Sequence, residues 1–244
     1  MYFPDIFNLG NAFKQYFEVV PALTDTLRDE VYHIRHQVYC EELAFEPQRP
    51  DKRESDEYDA HSLHLLIRSV QSGDFIGCTR IVRPRPDDPH YPLPFEKTCS
   101  ATLDRAIADP AKLPRDTIAE ISRLAVVARY RQRKSDAKGP VSISDKDFGT
   151  PEQPRFPYIP MGLYLGTVEL ARLNGITTLF VLTEQRLASH FRKLGVNIKT
   201  IGAAVEHRGQ RIPSMMQTNS IYDDLWKVLQ PLYRTIAKDI AQKR

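Results

Sequence analysis

Two charged residues, Glu120 and Arg123, lie inside an otherwise apolar and β-branched stretch of the sequence, residues 117–128. Unpaired charge is costly to bury, so residues of this kind need a paired partner or a chemical task. A buried carboxylate can act as a general base or bind an amine, and a guanidinium group can hold a carboxylate in a forked pair. The stretch therefore predicts a buried strand that passes a functional cleft.

The spacing of these two residues sets a condition on that strand. Positions three apart point to opposite faces of a regular strand, so Glu120 and Arg123 can share one cleft only if the strand carries a bulge. The alternative is purely structural, with the two charges engaged in ion pairs with Arg35, Arg80 or Asp59.

A compact basic run follows the strand directly and comprises Arg129, Arg131, Arg133 and Lys134. Guanidinium groups and backbone N–H groups at this place could hold a phosphate group. The alternative is a solvated charged surface. No groove-reading or base-stacking motif accompanies the run, so nucleic acid is not a predicted partner.

A second cluster, Asp56, Asp59, His61 and His64, contains residue types that bind divalent metals. On a strand that begins at His61, the two imidazoles point to opposite faces, so only one of them can join a given site. The cluster therefore predicts loop capping and salt bridges, and no metal site.

The composition is that of an ordinary globular protein: 244 residues, 34 Lys and Arg against 31 Asp and Glu, and a net charge of +3. The longest apolar runs fall far short of the roughly 20 residues that a membrane-spanning helix needs. The N-terminus lacks the features of a signal peptide. Three cysteines without regular spacing indicate reduced thiols and a cytoplasmic location.

Periodicity and turn residues predict one mixed sheet flanked by helices, an α+β fold. The predicted strands are 16–20, 61–70, 75–82, 117–128, 177–182, 198–206 and 211–218. The predicted helices are Thr24 or Asp25 to about Leu43, 103–108, 161–173, 185–194, and 222–241 with an interruption at Pro231. The opening residues either cover a lipid-like ligand or pack on the core through their aromatic side chains, and the second arrangement is favoured.

An ordered set of residues between 30 and 130 resembles the pattern of the autoinducer (acyl-homoserine-lactone) synthases. The set comprises Arg35, Tyr39 and Phe45, then Asp56 and Asp59, then Arg80, then Glu120 and Arg123. The phrases YHIRHQVYCEELAFEP, DEYDAHSLHLL and EISRLAV are still more similar to the N-acyl amino acid synthases and the PEP-CTERM/exosortase system-associated acyltransferases.

The resemblance implies a fold similar to the GCN5-related N-acetyltransferases (GNAT). In that fold a mixed sheet splays open between two central strands, here 117–128 and 177–182, and an acyl thioester lies in the gap. It implies one acyltransferase domain over residues 1–244. Within it, residues 1–23 are an N-terminal segment, residues 129–160 a long loop and residues 220–244 the C-terminal helix.

The resemblance also bears on the acyl donor. The Gly-rich loop that binds the pyrophosphate of coenzyme A is expected near 129–139, where this chain has RYRQRKSDAKG. That departure favours the phosphopantetheine thioester of an acyl carrier protein, an acidic partner that would dock on Arg129, Arg131 and Arg133. A coenzyme A thioester remains the alternative donor, and no permanently bound cofactor is expected.

The predicted acceptor is an amino acid or another small amine. Autoinducer synthases place Phe and Trp where this chain has Tyr39 and Phe45, and loss of the indole weakens cation–π binding of the sulfonium of S-adenosylmethionine. Two alternatives remain: an acyl-homoserine-lactone synthase that uses S-adenosylmethionine, and a non-catalytic sensor that binds a lipid or an amine.

The predicted mechanism is direct transfer without a covalent intermediate. Glu120 takes the amine proton, backbone N–H groups near Val126 and Val127 stabilise the oxyanion, and Arg123 fixes a carboxylate or orients Glu120. Four residues hold the N-terminal half over the cleft: Arg35, Asp56, Asp59 and Arg80. An acyl tunnel could be lined by Phe75, Ile76, Leu163, Leu165, Phe180 and Leu182, for each of which an ordinary core position is the favoured alternative.

Overall fold

The computed structural model describes residues 9–131 and 156–243, and its centre is a mixed sheet of eight strands. The strands are β1 (Phe17–Pro21), β2 (Ser62–Ser69), β3 (Phe75–Val82), β4 (Ile118–Val126), β5 (Thr178–Thr183), β6 (Lys199–Thr200), β7 (Val205–Glu206) and β8 (Gln210–Gln217). They lie in the order β1-β2-β3-β4-β5-β8-β6, and β7 pairs with β8. The predicted α+β fold with a mixed sheet is confirmed.

Helices pack on this sheet. They are α1 (Leu9–Tyr16), α2 (Asp25–Arg35), α3 (Pro94–Thr98), α4 (Tyr158–Leu173), α5 (Gln185–Lys193), α6 (Ile221–Asp224) and α7 (Gln230–Gln242). A π-helical segment, His36–Glu42, continues α2. No helix among the described residues is long and apolar enough to cross a membrane.

Strands β1 to β4 form an antiparallel meander, whereas β4 and β5 are parallel. A parallel pair needs a crossover connection, and α4 provides it. The turn between β2 and β3 contains Gly73 at φ +75°, a conformation that glycine adopts without steric cost. The hairpin thus ends where the sequence Ser72-Gly73-Asp74 predicts a turn.

Three predicted elements are wrong in detail. Residues 103–108 form turns instead of a helix, and Leu103 forms an isolated bridge with Gly202. The predicted strand 198–206 is broken into β6 and β7. Pro231 lies in the first turn of α7 instead of interrupting a helix, because a proline in the first helical turn loses no intrahelical hydrogen bond.

The helix that begins with α2 keeps its predicted N-cap, since Thr24 Oγ1 accepts a hydrogen bond from Leu27 N–H at 3.2 Å. The last turns are π-helical and place Tyr39 and Cys40 in the interior. A π-helical turn contains an extra residue, so it changes which side chains face the sheet.

Helix α4 lies close against the sheet because two glycines permit it. A Cβ atom at Gly162 would lie 2.6 Å from Cε2 of Phe13, and one at Gly166 would lie 2.6 Å from Cδ2 of Leu65. The aromatic side chain of Phe13 is completely buried here, so α1 packs on the core, as predicted for the part of the N-terminal segment that is described.

We expect Phe13→Ala to lower the free energy of unfolding by about 3–5 kcal/mol, because it empties a site packed between α4, Phe17 and Tyr158. The matched control is Tyr16→Ala on the same helix, where the side chain is 50% exposed and the loss should stay below about 1 kcal/mol. Urea denaturation measures both values. Equal losses would show that the packing of Phe13 does not stabilise this region.

Candidate active site

The two central strands separate part-way along the sheet. Strands β4 and β5 are paired from Ile118 opposite Thr178 to Ile121 opposite Val181. Beyond Ile121, β4 continues to Val126 without a partner on this side. Backbone groups of β4 are therefore available in the gap, at the place where the predicted splay lies.

A bulge in β4 begins just past this point. Arg80 of β3 pairs with Ser122, and Cys78 pairs with Ala125, so one residue of β3, Thr79, lies opposite two of β4, Arg123 and Leu124. The extra residue coincides with the left-handed backbone of Arg123, at φ +52°. The bulge removes the strict alternation of side chains, so Glu120 and Arg123 line one cavity. The predicted bulge is confirmed.

The cavity has a volume of about 310 Å³, at the lower end of the range for small-molecule sites. One part of its wall is polar, and another is formed by apolar side chains of α4, α5 and β8. Members of the polar part are Asp56, Arg80, Glu120, Ser122, Arg123, His207, Arg208 and Arg211. The apolar part consists of Tyr164 on α4, Leu187 and Phe191 on α5, and Met216 on β8, together with Ile198, which directly precedes β6.

Glu120 is 3% exposed and has one hydrogen-bond donor among the described residues, the backbone N–H of Phe95 at 2.7 Å. In the described part of the chain, no Lys or Arg nitrogen lies within 4 Å of its carboxylate. Burial raises the pKa of Glu120 to about 8, against the smaller opposing effect of the Phe95 N–H group. The structural alternative of an ion pair is therefore wrong for Glu120.

Arg35 anchors a buried network of ion pairs behind the cavity. Its Nε donates to Glu54 at 2.5 Å, and its Nη1 and Nη2 donate to Asp59 at 2.6 and 3.1 Å. The side chain of Arg35 is completely buried. Burial alone would raise the pKa of Glu54, but the adjacent guanidinium groups of Arg35 and Arg123 lower it to about 2.

Arg80 connects this network to the cavity wall. Its Nη1 donates to Asp56 at 2.6 Å and to Asp59 at 2.9 Å, and its Nε donates to Ser122 Oγ at 3.0 Å. Burial opposes ionisation of Asp59, yet Arg35, Arg80 and the backbone N–H of Asp56 hold its pKa below the usual range. The four predicted residues Arg35, Asp56, Asp59 and Arg80 thus lie together.

Arg123 completes the network. It forms ion pairs, as the structural alternative predicts, but with carboxylates other than Asp59. Its Nη2 lies 3.1 Å from Glu54, 3.3 Å from Asp56 and 3.5 Å from Glu46. Glu46 also pairs with Arg208 from the turn between β7 and β8. Carboxylates of one loop therefore join α2, β3, β4 and the β7–β8 turn.

Tyr39 and Phe45 both line the cavity, with ring centroids 6.5 Å apart. The hydroxyl of Tyr39 donates to the carbonyl of Leu124 in the bulge at 3.0 Å, and burial raises its pKa to about 12. The guanidinium of Arg123 lies 5.6 Å from the centroid of the Tyr39 ring. An arginine thus occupies the cation–π position on Tyr39.

The proposed oxyanion role of Val126 and Val127 does not fit their positions. The N–H of Val127 donates to the carbonyl of Ile76 at 3.0 Å, so it is not free to bind an oxyanion. Val126 is paired with Gly77 on the opposite side of β4, and neither valine lines the cavity. The unpaired stretch of β4 starts earlier, at Ser122, because the splay and the bulge lie there.

The two described arginines of the basic run are engaged in ion pairs and are not simply solvated. Arg129 is exposed and pairs with Asp74 at 2.8 Å, and Arg131 pairs with the carboxylate of Glu42. Glu42 also accepts the backbone N–H of Ala128 at 3.1 Å. Arg133 and Lys134, together with most of the predicted long loop, lie outside the described residues.

The predicted tunnel residues are core residues, with one exception. Ile76, Leu163, Leu165 and Phe180 are fully buried and do not line the cavity, and neither does Phe75. Leu182 is the exception. Consecutive side chains of a helix point in different directions, so Tyr164, which lies between Leu163 and Leu165 on α4, faces the cavity. Its ring stacks on that of Phe191 with centroids 4.3 Å apart.

Three residues of the site were missed in the sequence. Glu54 and Glu46 lie in the acidic loop that the Asp pair belongs to, and only their burial and pairing reveal them. Arg208 lies between the predicted strands 198–206 and 211–218, where no sequence pattern indicates that its side chain reaches the cavity. In the described ranges, no group of three or more His, Cys, Asp or Glu side chains is arranged to hold a metal ion.

Residues 34–138 match the family described as Acetyltransferase (GNAT) domain. The matched range includes the charged network, the bulge and Glu120. This part of the chain is therefore similar to GNAT acetyltransferase domains. Comparison with curated protein sequences finds no match.

Solved structures share the fold of this chain at low identity. TofI, in a ternary complex with an inhibitor and MTA, gives a TM-score of 0.58 at 20% identity, covering 88% of this chain and 96% of TofI. MesI, a CoA-dependent acyl-homoserine lactone synthase, gives a TM-score of 0.55 at 19% identity, covering 90% of this chain and 94% of MesI. FeeM, an N-acyl amino acid synthase from uncultured soil microbes, gives a TM-score of 0.54 at 12% identity, covering 86% of this chain and 94% of FeeM.

We expect Arg35→Met to lower the free energy of unfolding of the protein by about 3–5 kcal/mol at pH 7, because Glu54 and Asp59 lose their main buried cation. Their pKa values are depressed in the folded state, so their contribution exists at neutral pH and is lost as the pH falls from about 4.5 towards 2. Urea denaturation at pH 7 and pH 3 measures both effects.

Arg105→Met is the matched control, since Arg105 forms an exposed pair with Asp109 and its loss should cost less than about 1 kcal/mol. Equal destabilisation by both substitutions, or an unchanged acid sensitivity in Arg35→Met, would contradict the assigned role of the network.

Proposed function

We propose that the protein is an N-acyltransferase that moves a fatty acyl group, of the long-chain class, from a thioester to the amine of an amino acid or a similar small amine. The observation that carries the proposal is Glu120, a buried carboxylate that has no ion-pair partner among the described residues and lies just before the point where β4 separates from β5. It lines one cavity with Arg123 and with an apolar wall of suitable character for an acyl chain.

The reaction is a direct displacement. The neutral amine nitrogen attacks the thioester carbon, a C–N bond forms, the C–S bond breaks, and the sulfur departs as a thiolate that takes up a proton from protonated Glu120 or from water. Glu120 takes the proton that the amine loses, directly or through a water molecule. A pKa of about 8 suits this task, since a base titrating near the working pH can both accept and return a proton.

The oxyanion of the tetrahedral intermediate needs donors that point into the gap. Backbone N–H groups of β4 between Ser122 and Leu124 replace the valines in this role, because this stretch is free of β5 and interrupted by the bulge. The carbonyl of Leu124 is already engaged by Tyr39, which fixes the orientation of the bulge.

An amino acid fits the site better than S-adenosylmethionine. A sulfonium would need an open aromatic face, and the face of Tyr39 already carries Arg123. Arg123 in turn is positioned to interact with a carboxylate. Hydrolysis or simple binding of a lipid would not require both a base and a guanidinium group in the same cavity.

An acyl carrier protein is the proposed donor, with coenzyme A as the alternative. Within the described residues, Arg129 is the exposed cation that follows the central strand, and it would contact an acidic partner after leaving Asp74. The three buried cysteines carry free thiols, in keeping with a cytoplasmic enzyme and with transfer that forms no acyl-cysteine.

The product assay is a test of Glu120. We expect the protein to convert hexadecanoyl thioesters and a mixture of amino acids into N-acyl products, identified by mass spectrometry. For Glu120→Gln, we expect a loss of about 100-fold or more in kcat. In the native protein kcat/KM should rise with pH up to about 8, because the carboxylate must be ionised, and Glu120→Gln should lack this rise.

Activity of Glu120→Gln equal to that of the native protein at every pH would exclude Glu120 as the base. A triple Cys→Ala variant at Cys40, Cys78 and Cys99 should retain activity, and its loss of product without loss of fold would instead support a covalent route. Absence of any N-acyl product with every donor and amine would contradict the proposed function.

The donor is tested with Arg129→Glu. If a carrier protein docks here, this substitution should raise KM for hexadecanoyl–acyl carrier protein several-fold, and added salt should do the same in the native protein. KM for hexadecanoyl-coenzyme A serves as the matched control. An unchanged KM for the carrier protein, together with no effect of salt, would contradict docking at this surface.

A further inference from the structure

The β7–β8 turn contributes an arginine to the cavity that the mechanism has not used. Arg208 lines the cavity, although it lies 85 positions after Arg123 in the chain. Its backbone is left-handed, at φ +54°, an uncommon conformation for an arginine. Arg211 holds the turn by donating to the carbonyls of His207 at 3.4 Å and Arg208 at 3.1 Å.

Arg208 and Arg123 meet on one carboxylate. Glu46 Oε1 lies 3.5 Å from Arg123 Nη2 and is also bound by Arg208 Nη2. In the described part of the chain, these two arginines are the only cationic groups within 4 Å of Glu46. The turn and β4 therefore form a two-armed site for a carboxylate at the wall of the cavity.

The charges of the surrounding network distinguish Glu46 from the other carboxylates. Arg35, Arg80 and Arg123 are balanced by Glu54, Asp56 and Asp59, in a cluster where every group contacts at least one opposite charge. Glu46 balances Arg208. It also makes the longest of the three contacts to Arg123, so it is the carboxylate that another anion can replace at least cost.

We propose that Arg208, with Arg123, binds the α-carboxylate of the amine acceptor, and that Glu46 occupies this position in its absence. The inference rests on the proposed function. The amine and the carboxylate of an α-amino acid share one carbon atom, so the carboxylate site has to lie next to the base. Arg123 meets that requirement, since it is three positions from Glu120 and lines the same cavity.

Glu46 is able to move because of the loop that carries it. The side chain is partly exposed, and the loop begins next to Ala44, whose backbone is left-handed at φ +52°. Among the described residues, the other hydrogen bond of Glu46 is donated by its backbone N–H to the carbonyl of Tyr39 at 3.1 Å. Displacement of the carboxylate by an acceptor therefore leaves the buried network in place.

The test compares amino acids with their carboxamides, which keep the amine and the side chain but lack the charge. The acceptor pairs are glycine and glycinamide, leucine and leucinamide, and tyrosine and tyrosinamide, with hexadecanoyl thioesters as donors. The native protein should prefer the carboxylate about tenfold or more in kcat/KM. Arg208→Gln should remove that preference by raising KM for the amino acid while leaving kcat nearly unchanged.

Glu46→Gln gives the opposite change and cannot be mistaken for a folding defect. It removes the competing charge, so KM for the amino acid should fall several-fold while KM for the carboxamide stays constant. Arg105→Gln, which alters an exposed arginine away from the cavity, is the matched control and should change neither value.

Equal changes for both acceptors in Arg208→Gln and Glu46→Gln would show that the two residues form only a structural ion pair, and the inference would be wrong. Equal use of amino acids and carboxamides by the native protein would overturn it as well, while leaving the proposed function intact. Failure of all amines to be acylated would overturn the proposed function and this inference with it.

Discussion

The buried ion network of Arg35, Arg80 and Arg123 is the constraint on which the remainder of the site depends. The three arginines come from α2, β3 and β4, and their partners Glu54, Asp56 and Asp59 come from one loop. Each guanidinium group has several fixed donors, so the loop can adopt few positions that satisfy all three. The loop in turn forms one wall of the cavity, and the network thereby determines the shape of the site.

The network and the β4 bulge support each other. A left-handed arginine costs about 1–2 kcal/mol, and it persists only where other contacts outweigh the strain. The ion pairs of Arg123 and the hydrogen bond from Tyr39 to Leu124 supply those contacts. The bulge then brings Glu120 and Arg123 to one cavity, where a regular strand would have separated them.

Glu120 shows the opposite use of a buried charge. It lies on the same strand as Arg123 but outside the network, and among the described residues its one hydrogen-bond donor is the backbone N–H of Phe95. Its burial without a cation destabilises the ionised form, which is the reason for its raised pKa. Paired charges thus build the site, and one carboxylate kept apart from them can exchange protons.

Charges that are segregated along the sequence are paired in the folded chain. The sequence concentrates acidic residues between Glu41 and Asp59 and basic residues directly after β4. In the folded chain, Glu42 pairs with Arg131, Glu46 with Arg123 and Arg208, and Arg129 with Asp74. Charges distant in the sequence neutralise each other, and sequence order carries no information about such contacts.

The sequence by itself determined the order of most elements and the mixed sheet, because periodicity is a local signal, and it singled out Glu120 and Arg123 as charged residues in an apolar strand. The resemblance to the autoinducer synthases added Arg35, Tyr39, Asp59 and Arg80 to the site. The sequence also placed a bulge at the right strand, since two charges three positions apart needed it. Only the tertiary structure decided which charges are paired, that the N–H of Val127 is engaged by Ile76, and that Arg208 reaches the cavity. These depend on strand register, on the splay of β4 from β5 and on contacts across more than 80 residues, all of which arise from packing.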